Sequence, residues 1–118
     1  ILTQALARPV RLRNAGVALS STDVTTVYTV PAGHDAILKK IIVAQVSGHQ
    51  TDVTITLTDA SASATYSIVY QKAVASHSYL ILDLELNMNE GDVIKITAET
   101  ADRLEAVLSI DELFLANS

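Results

Sequence analysis

In the stretch Val53-Thr54-Ile55-Thr56-Leu57-Thr58 every second residue is apolar and each residue between is threonine. A side-chain period of two belongs to an extended strand with one face buried and the other wet, and it cannot build the stripe of a 3.6-residue helix. The same alternation returns in residues 79–86, where Leu80, Leu82, Leu84 and Leu86 share one face and Asp83 and Glu85 the other. It returns again in Thr25-Thr26-Val27-Tyr28-Thr29-Val30, which sets Thr25, Val27 and Thr29 against Thr26, Tyr28 and Val30. Strands with one polar face pair antiparallel, because parallel strands covered on both sides read as continuous apolar runs.

Turn residues punctuate these segments. Pro31-Ala32-Gly33-His34 closes the first, since proline fixes φ and glycine tolerates positive φ. A strand over residues 36–46 follows, and its paired Lys39 and Lys40 mark a bulge or a bend between sheets. Gly48-His49-Gln50, the small polar loop 59–63, Ser76-His77-Ser78 and residues 87–92 separate further strands at 53–58, 66–70, 79–86 and 93–97. Residues 101–108 have some helical propensity, but Val107, Ile110, Leu113 and Leu115 suit a final strand between 104 and 115. About eight short strands at these spacings predict a single all-β, antiparallel β-sandwich.

The core of that sandwich must be aliphatic, because 49% of the 118 residues are apolar but only 4% aromatic. One domain of this length can bury roughly two thirds of the surface its unfolded chain exposes. With no cysteine and no tryptophan, a jelly-roll arrangement is favoured over an immunoglobulin-type one, which is built on a central Trp and a disulfide. The missing cysteines also exclude disulfide frameworks, thiolate zinc sites and cysteine nucleophiles.

Residues 1–16 show no clean period, and Pro9 interrupts any helix there. They read as an extended N-terminal arm ahead of a sandwich domain spanning 17–118. Arg8, Arg11 and Arg13 are the only charges before Asp23, so the first 22 residues sum to +3 and the rest to −8, against a net charge of −5. An acidic body opposes nucleic-acid binding, which needs clustered cations to displace counterions. A basic arm on such a body suits an acidic protein neighbour, with Arg8, Arg11, Leu12 and Arg13 the candidate contact residues; the other reading is that the three arginines only keep the leader solvated. No membrane partner is expected: the longest apolar candidate, residues 36–46, is interrupted by Lys39 and Lys40 and falls short of the ~20 residues of a spanning helix.

No catalytic, metal or cofactor motif emerges. His34, His49 and His77 each lie in a turn or loop with no second histidine at ligand spacing, whereas zinc needs three or four convergent ligands. Asp83 and Glu85 read as a solvated strand face, and Glu90-Gly91-Asp92 as a hairpin turn lacking the oxygen-ligand spacing of a calcium loop. There is no GxSxG and no phosphate-cradling glycine run. Tyr28, Tyr66, Tyr70 and Tyr79 are expected to fill the rim of the core with their hydroxyls toward water, a sugar-binding platform being the other reading.

Thr26-Val27-Tyr28-Thr29-Val30-Pro31-Ala32-Gly33, followed by the apolar strand from Ala36 to Ala44, resembles a pattern of small virion proteins of tailed bacteriophages. In these a VPaG turn precedes a strand such as "aivksivvaN", and a GD-v-i-k-i-t segment comes late, as Gly91-Asp92-Val93-Ile94-Lys95-Ile96-Thr97 does here. The resemblance covers residues 22–113. The chain departs from the pattern at Gln45, where asparagine is usual, and at Glu90, where a small residue often precedes Gly-Asp. It implies a jelly-roll-like module on the outside of a virion, assembled in the host cytoplasm. Its implied role is a capsid decoration (cement) protein bound to the major capsid protein, partly through the arm. A homo-oligomer around a symmetry axis, such as a trimer, goes with that role. A neck, tail or fibre component is the alternative, and a carbohydrate-binding module using the tyrosines is a reading from a different class.

Overall fold

The computed structural model describes residues 10–114, and within them the alternating segments form eight strands. They are β1 (Val10–Leu19), β2 (Thr25–Thr29), β3 (His34–Gln45), β4 (Thr51–Asp59), β5 (Ala64–Val74), β6 (Tyr79–Met88), β7 (Val93–Ala98) and β8 (Leu104–Phe114). A front sheet has the order β1-β8-β3-β6 and a back sheet the order β2-β7-β4-β5. Every pairing is antiparallel. Two four-stranded sheets linked in this order make a jelly roll.

Among the described residues, β4 and β5 are the one pair of consecutive strands that are also neighbours in a sheet. Every other connection crosses between the sheets. Glu90-Gly91-Asp92 is therefore an arch from β6 to β7, and the hairpin expected from its sequence is corrected. The arch is zipped to the end of β2, where Val30 N–H donates to the Asp92 carbonyl and Gly91 N–H to the Val30 carbonyl, both at 3.0 Å. Gly91 has φ 86°, a backbone conformation that favours glycine. The buried Asp92 carboxylate accepts from Ala60 N and Asn89 N, each at 2.9 Å, tying this arch to the β4–β5 loop.

The core lies between the sheets and is aliphatic as composition requires. Leu38, Ile41, Leu108 and Ile110 from the front sheet meet Val53, Ile55, Ile94 and Ile96 from the back, all fully buried. Leu38 and Ile41 are three residues apart yet both point inward, which a regular strand cannot do. One extra residue must loop out between them, and the pairing of β3 with both neighbours shifts between Leu38 and Lys40. The bulge thus falls where the two lysines marked it.

β1 pairs with β8 along its whole length, from Val10 opposite Leu113 to Leu19 opposite Leu104. Strand pairing thus reaches back into residues 10–16, which the sequence assigns to the arm. Backbone hydrogen bonds hold them there, and these leave no trace in a side-chain pattern.

Candidate partner-binding surface

β1 divides at its middle. Ala15, Val17 and Leu19 turn toward the core, with Leu19 fully buried, whereas residues 10–14 are all exposed. In that outer half the register sets Arg11 beside Glu112 and Arg13 beside the buried Ile110, which puts both arginines on the inner side of the strand. Leu12 points the other way and is 78% exposed. Of the four candidate contact residues, two therefore share the inner rim and one the outer face. Arg8 lies outside the described residues.

The inner rim holds a polar cluster that pattern reading does not reveal. Glu112 of β8 is only 1% exposed. Its carboxylate accepts from the Tyr28 hydroxyl at 2.5 Å and from Arg13 Nη1 at 3.2 Å. The Arg13 guanidinium also lies 5.6 Å from the centre of the Tyr28 ring, within reach of a cation–π attraction. A carboxylate this buried requires a partner for its charge, and here it gains one from each sheet's edge, since Arg13 belongs to β1 and Tyr28 to β2. Burial, and then the hydrogen bond to Glu112, push the Tyr28 phenol far above its ordinary value. Tyr28 is thus an interior residue with a buried hydroxyl.

The other tyrosines correct the core-rim expectation more strongly. Tyr66, Tyr70 and Tyr79 are each more than half exposed, because β5 and β6 are the outermost strands of their sheets with one edge open. Tyr66 and Tyr70 belong to the back sheet and Tyr79 to the front, so the four tyrosines form no single platform. The histidines are dispersed as well. His34 opens β3 against the edge of the Phe114 ring, while His49 and His77 sit in the β3–β4 and β5–β6 connections. No group of three metal-binding side chains occurs among the described residues. Asp83 and Glu85 each reach a lysine on β3, Asp83 to Lys40 at 3.3 Å and Glu85 to Lys39 at 2.9 Å. The Lys39 ammonium holds the Glu85 carboxyl below its usual range, and Glu85 in turn raises Lys39.

No protein-family model and no curated protein matches the sequence. Solved structures do match in fold. A chain of infectious bursal disease virus (Gx strain) aligns with TM-score 0.56 and 8% identity over 95% of this chain, which spans 34% of that one. A chain from the Bacillus endospore appendages, a family of disulfide-linked pili, aligns with TM-score 0.56 and 12% identity, covering 93% of this chain and 92% of that one. A chain from the capsid of Helicobacter pylori bacteriophage KHP30 aligns with TM-score 0.54 and 11% identity, covering 89% and 87%. At these identities the likeness is one of fold.

Proposed function

We propose that this chain is a virion structural protein, a capsid decoration protein that binds the major capsid shell through the outer half of β1. The observation that carries this reading is the nearly full-length jelly-roll likeness to a chain of a bacteriophage capsid. It agrees with the VPAG and Gly-Asp resemblance to small phage virion proteins. The work of such a protein is done by surfaces and is not enzymatic. Leu12 supplies an exposed apolar anchor at the edge of the front sheet, beside the cationic Arg11. An acidic, partly apolar site on a capsid subunit is the complement such an edge would meet.

Co-sedimentation with capsids stripped of this protein tests the reading. The wild type should pellet with the shells, and Leu12→Asp combined with Arg11→Glu should lose most of that binding while remaining folded. Equal binding by the variant would remove the β1 contact, and no binding by either would remove the decoration role. The nearly complete overlap with a pilus chain favours, as a second reading, a place in a tail or fibre. Copy number in purified particles separates the two: hundreds of copies for decoration, tens or fewer for a neck, tail or fibre.

A further inference from the structure

The central rows on the outer faces of the two sheets have opposite character. Across the back sheet the register lines up Thr26, Lys95, Thr56 and Ser67, the polar row expected of a face turned to water. Across the front sheet it lines up Gly16, Val107, Ile42 and Ile81. Val107 is 43% and Ile81 46% exposed. Here alternation breaks down, with Ile41-Ile42-Val43 and Leu80-Ile81-Leu82 apolar on both faces, as in strands that are covered on both sides.

We propose that a second copy of this chain covers this row. The two copies would be related by a two-fold axis that lies in the interface and runs across the strands along Gly16, Val107, Ile42 and Ile81. The flanking rows are compatible with that axis. On one side the register gives Asn14, Ser109, Lys40 and Asp83, and on the other Ala18, Glu105, Ala44 and Tyr79. A two-fold along the apolar row keeps each strand over its own copy and exchanges the flanks. Asp83 then meets the Tyr79 hydroxyl of the second copy. Glu105 meets the Ser109 hydroxyl, one strand from Lys40, and every contact occurs twice, as an isologous interface requires. A two-fold along the strands would instead set Glu105 against Ala44 and Lys40 against Ser109, and would take Ile42 off the axis.

Gly16 supports the same arrangement. A Cβ there would meet the Ala106 carbonyl oxygen at 3.5 Å and a Val107 methyl at 3.8 Å, ordinary contacts, so the packing within one chain does not require glycine. Glycine inside a strand also marks places where another backbone comes close. Four strands at about 4.8 Å spacing and about ten residues long present about 600 Å² per copy, just below the about 800 Å² per partner of a standard interface. A reversible dimer fits that size and holds whether or not the chain belongs to a virion; because the face includes Leu12, the dimer would compete with the proposed shell contact.

Sedimentation velocity on the full chain between about 1 and 100 µM tests the proposal. A concentration-dependent dimer is expected, weakened at least tenfold by Ile81→Lys or Gly16→Leu and unchanged by Thr56→Lys on the back sheet. Should those front-sheet variants fail to fold, a single cysteine decides, because the chain has none of its own. Ile42→Cys, on the axis, should be joined to its own copy by a short bismaleimide, and Thr56→Cys should not. A monomer at 100 µM, a trimer, equal weakening by Thr56→Lys, or cross-linking at Thr56 in preference to Ile42 would overturn it.

Discussion

The two halves of β1 lie in one strand, pair with one neighbour and are held by different physics. The inner half anchors Ala15, Val17 and Leu19 against the shared core. The outer half buries no side chain of its own and relies on the backbone ladder to β8 plus the charge that Arg13 brings to Glu112. Apolar burial tolerates no exchange of partner, whereas a ladder and an ion pair can be offered to another surface. A single strand thus joins a structural anchor to the proposed contact edge.

Five substitutions sharpen or break this contrast. Leu19→Ala, at a fully buried site, should cost about 3 kcal/mol by the usual penalty for a core leucine, read from the urea midpoint. If Leu12→Ala costs as much, the two halves are alike and the contrast fails. Arg13→Ala leaves the Glu112 carboxylate buried without its cation. Breaking such a pair costs about 3–5 kcal/mol when it is sealed from water, and solvent at the partly exposed Arg13 lowers the expectation to about 2 kcal/mol. Tyr28→Phe removes a hydroxyl from the same carboxylate and should cost about 1.5 kcal/mol. It should also change the response to alkali. Because the folded-state phenol is raised, the wild type holds this stability up to the unfolded value of about 10 and loses it as pH rises further. Denaturation midpoints between pH 9 and 11 should therefore fall more steeply for wild type than for Tyr28→Phe. The exposed tyrosines, common to both proteins, cancel in that difference. Lys39→Ala, which breaks a solvent-exposed ion pair with Glu85, should leave the midpoint unchanged within error.

The sequence showed the strands wherever burial imposes a rhythm. β4 and β6 announce themselves through alternation, and the β3 bulge through two lysines that interrupt it. The sequence pattern ends β5 at Tyr70, yet the strand continues to Val74. As an edge strand, it leaves Tyr70 to Ala73 exposed on both faces, so no alternation reports it. The outer half of β1 escaped notice for the same reason. Glu112 was illegible for a different cause: its partners Tyr28 and Arg13 are 84 and 99 residues away in the chain. Until the topology brings β1, β2 and β8 together, nothing distinguishes it from the surface carboxylates around it.

β8 lies between β1 and β3 in the front sheet although it is formed by residues 104–114. During synthesis this strand leaves the ribosome after the other seven. Until then the front sheet is split, with β3 and β6 on one side of a gap and β1 on the other without a neighbour. The apolar row through Val107 and Ile42 has no continuous surface in a nascent chain, and Arg13 and Tyr28 have no carboxylate to close on. The emergence of β8 therefore acts as a timing device. The proposed pairing of two copies becomes possible only once residues 104–114 are in place, and proteolytic removal of β8 would abolish it together with the core that Leu104, Leu108 and Ile110 supply.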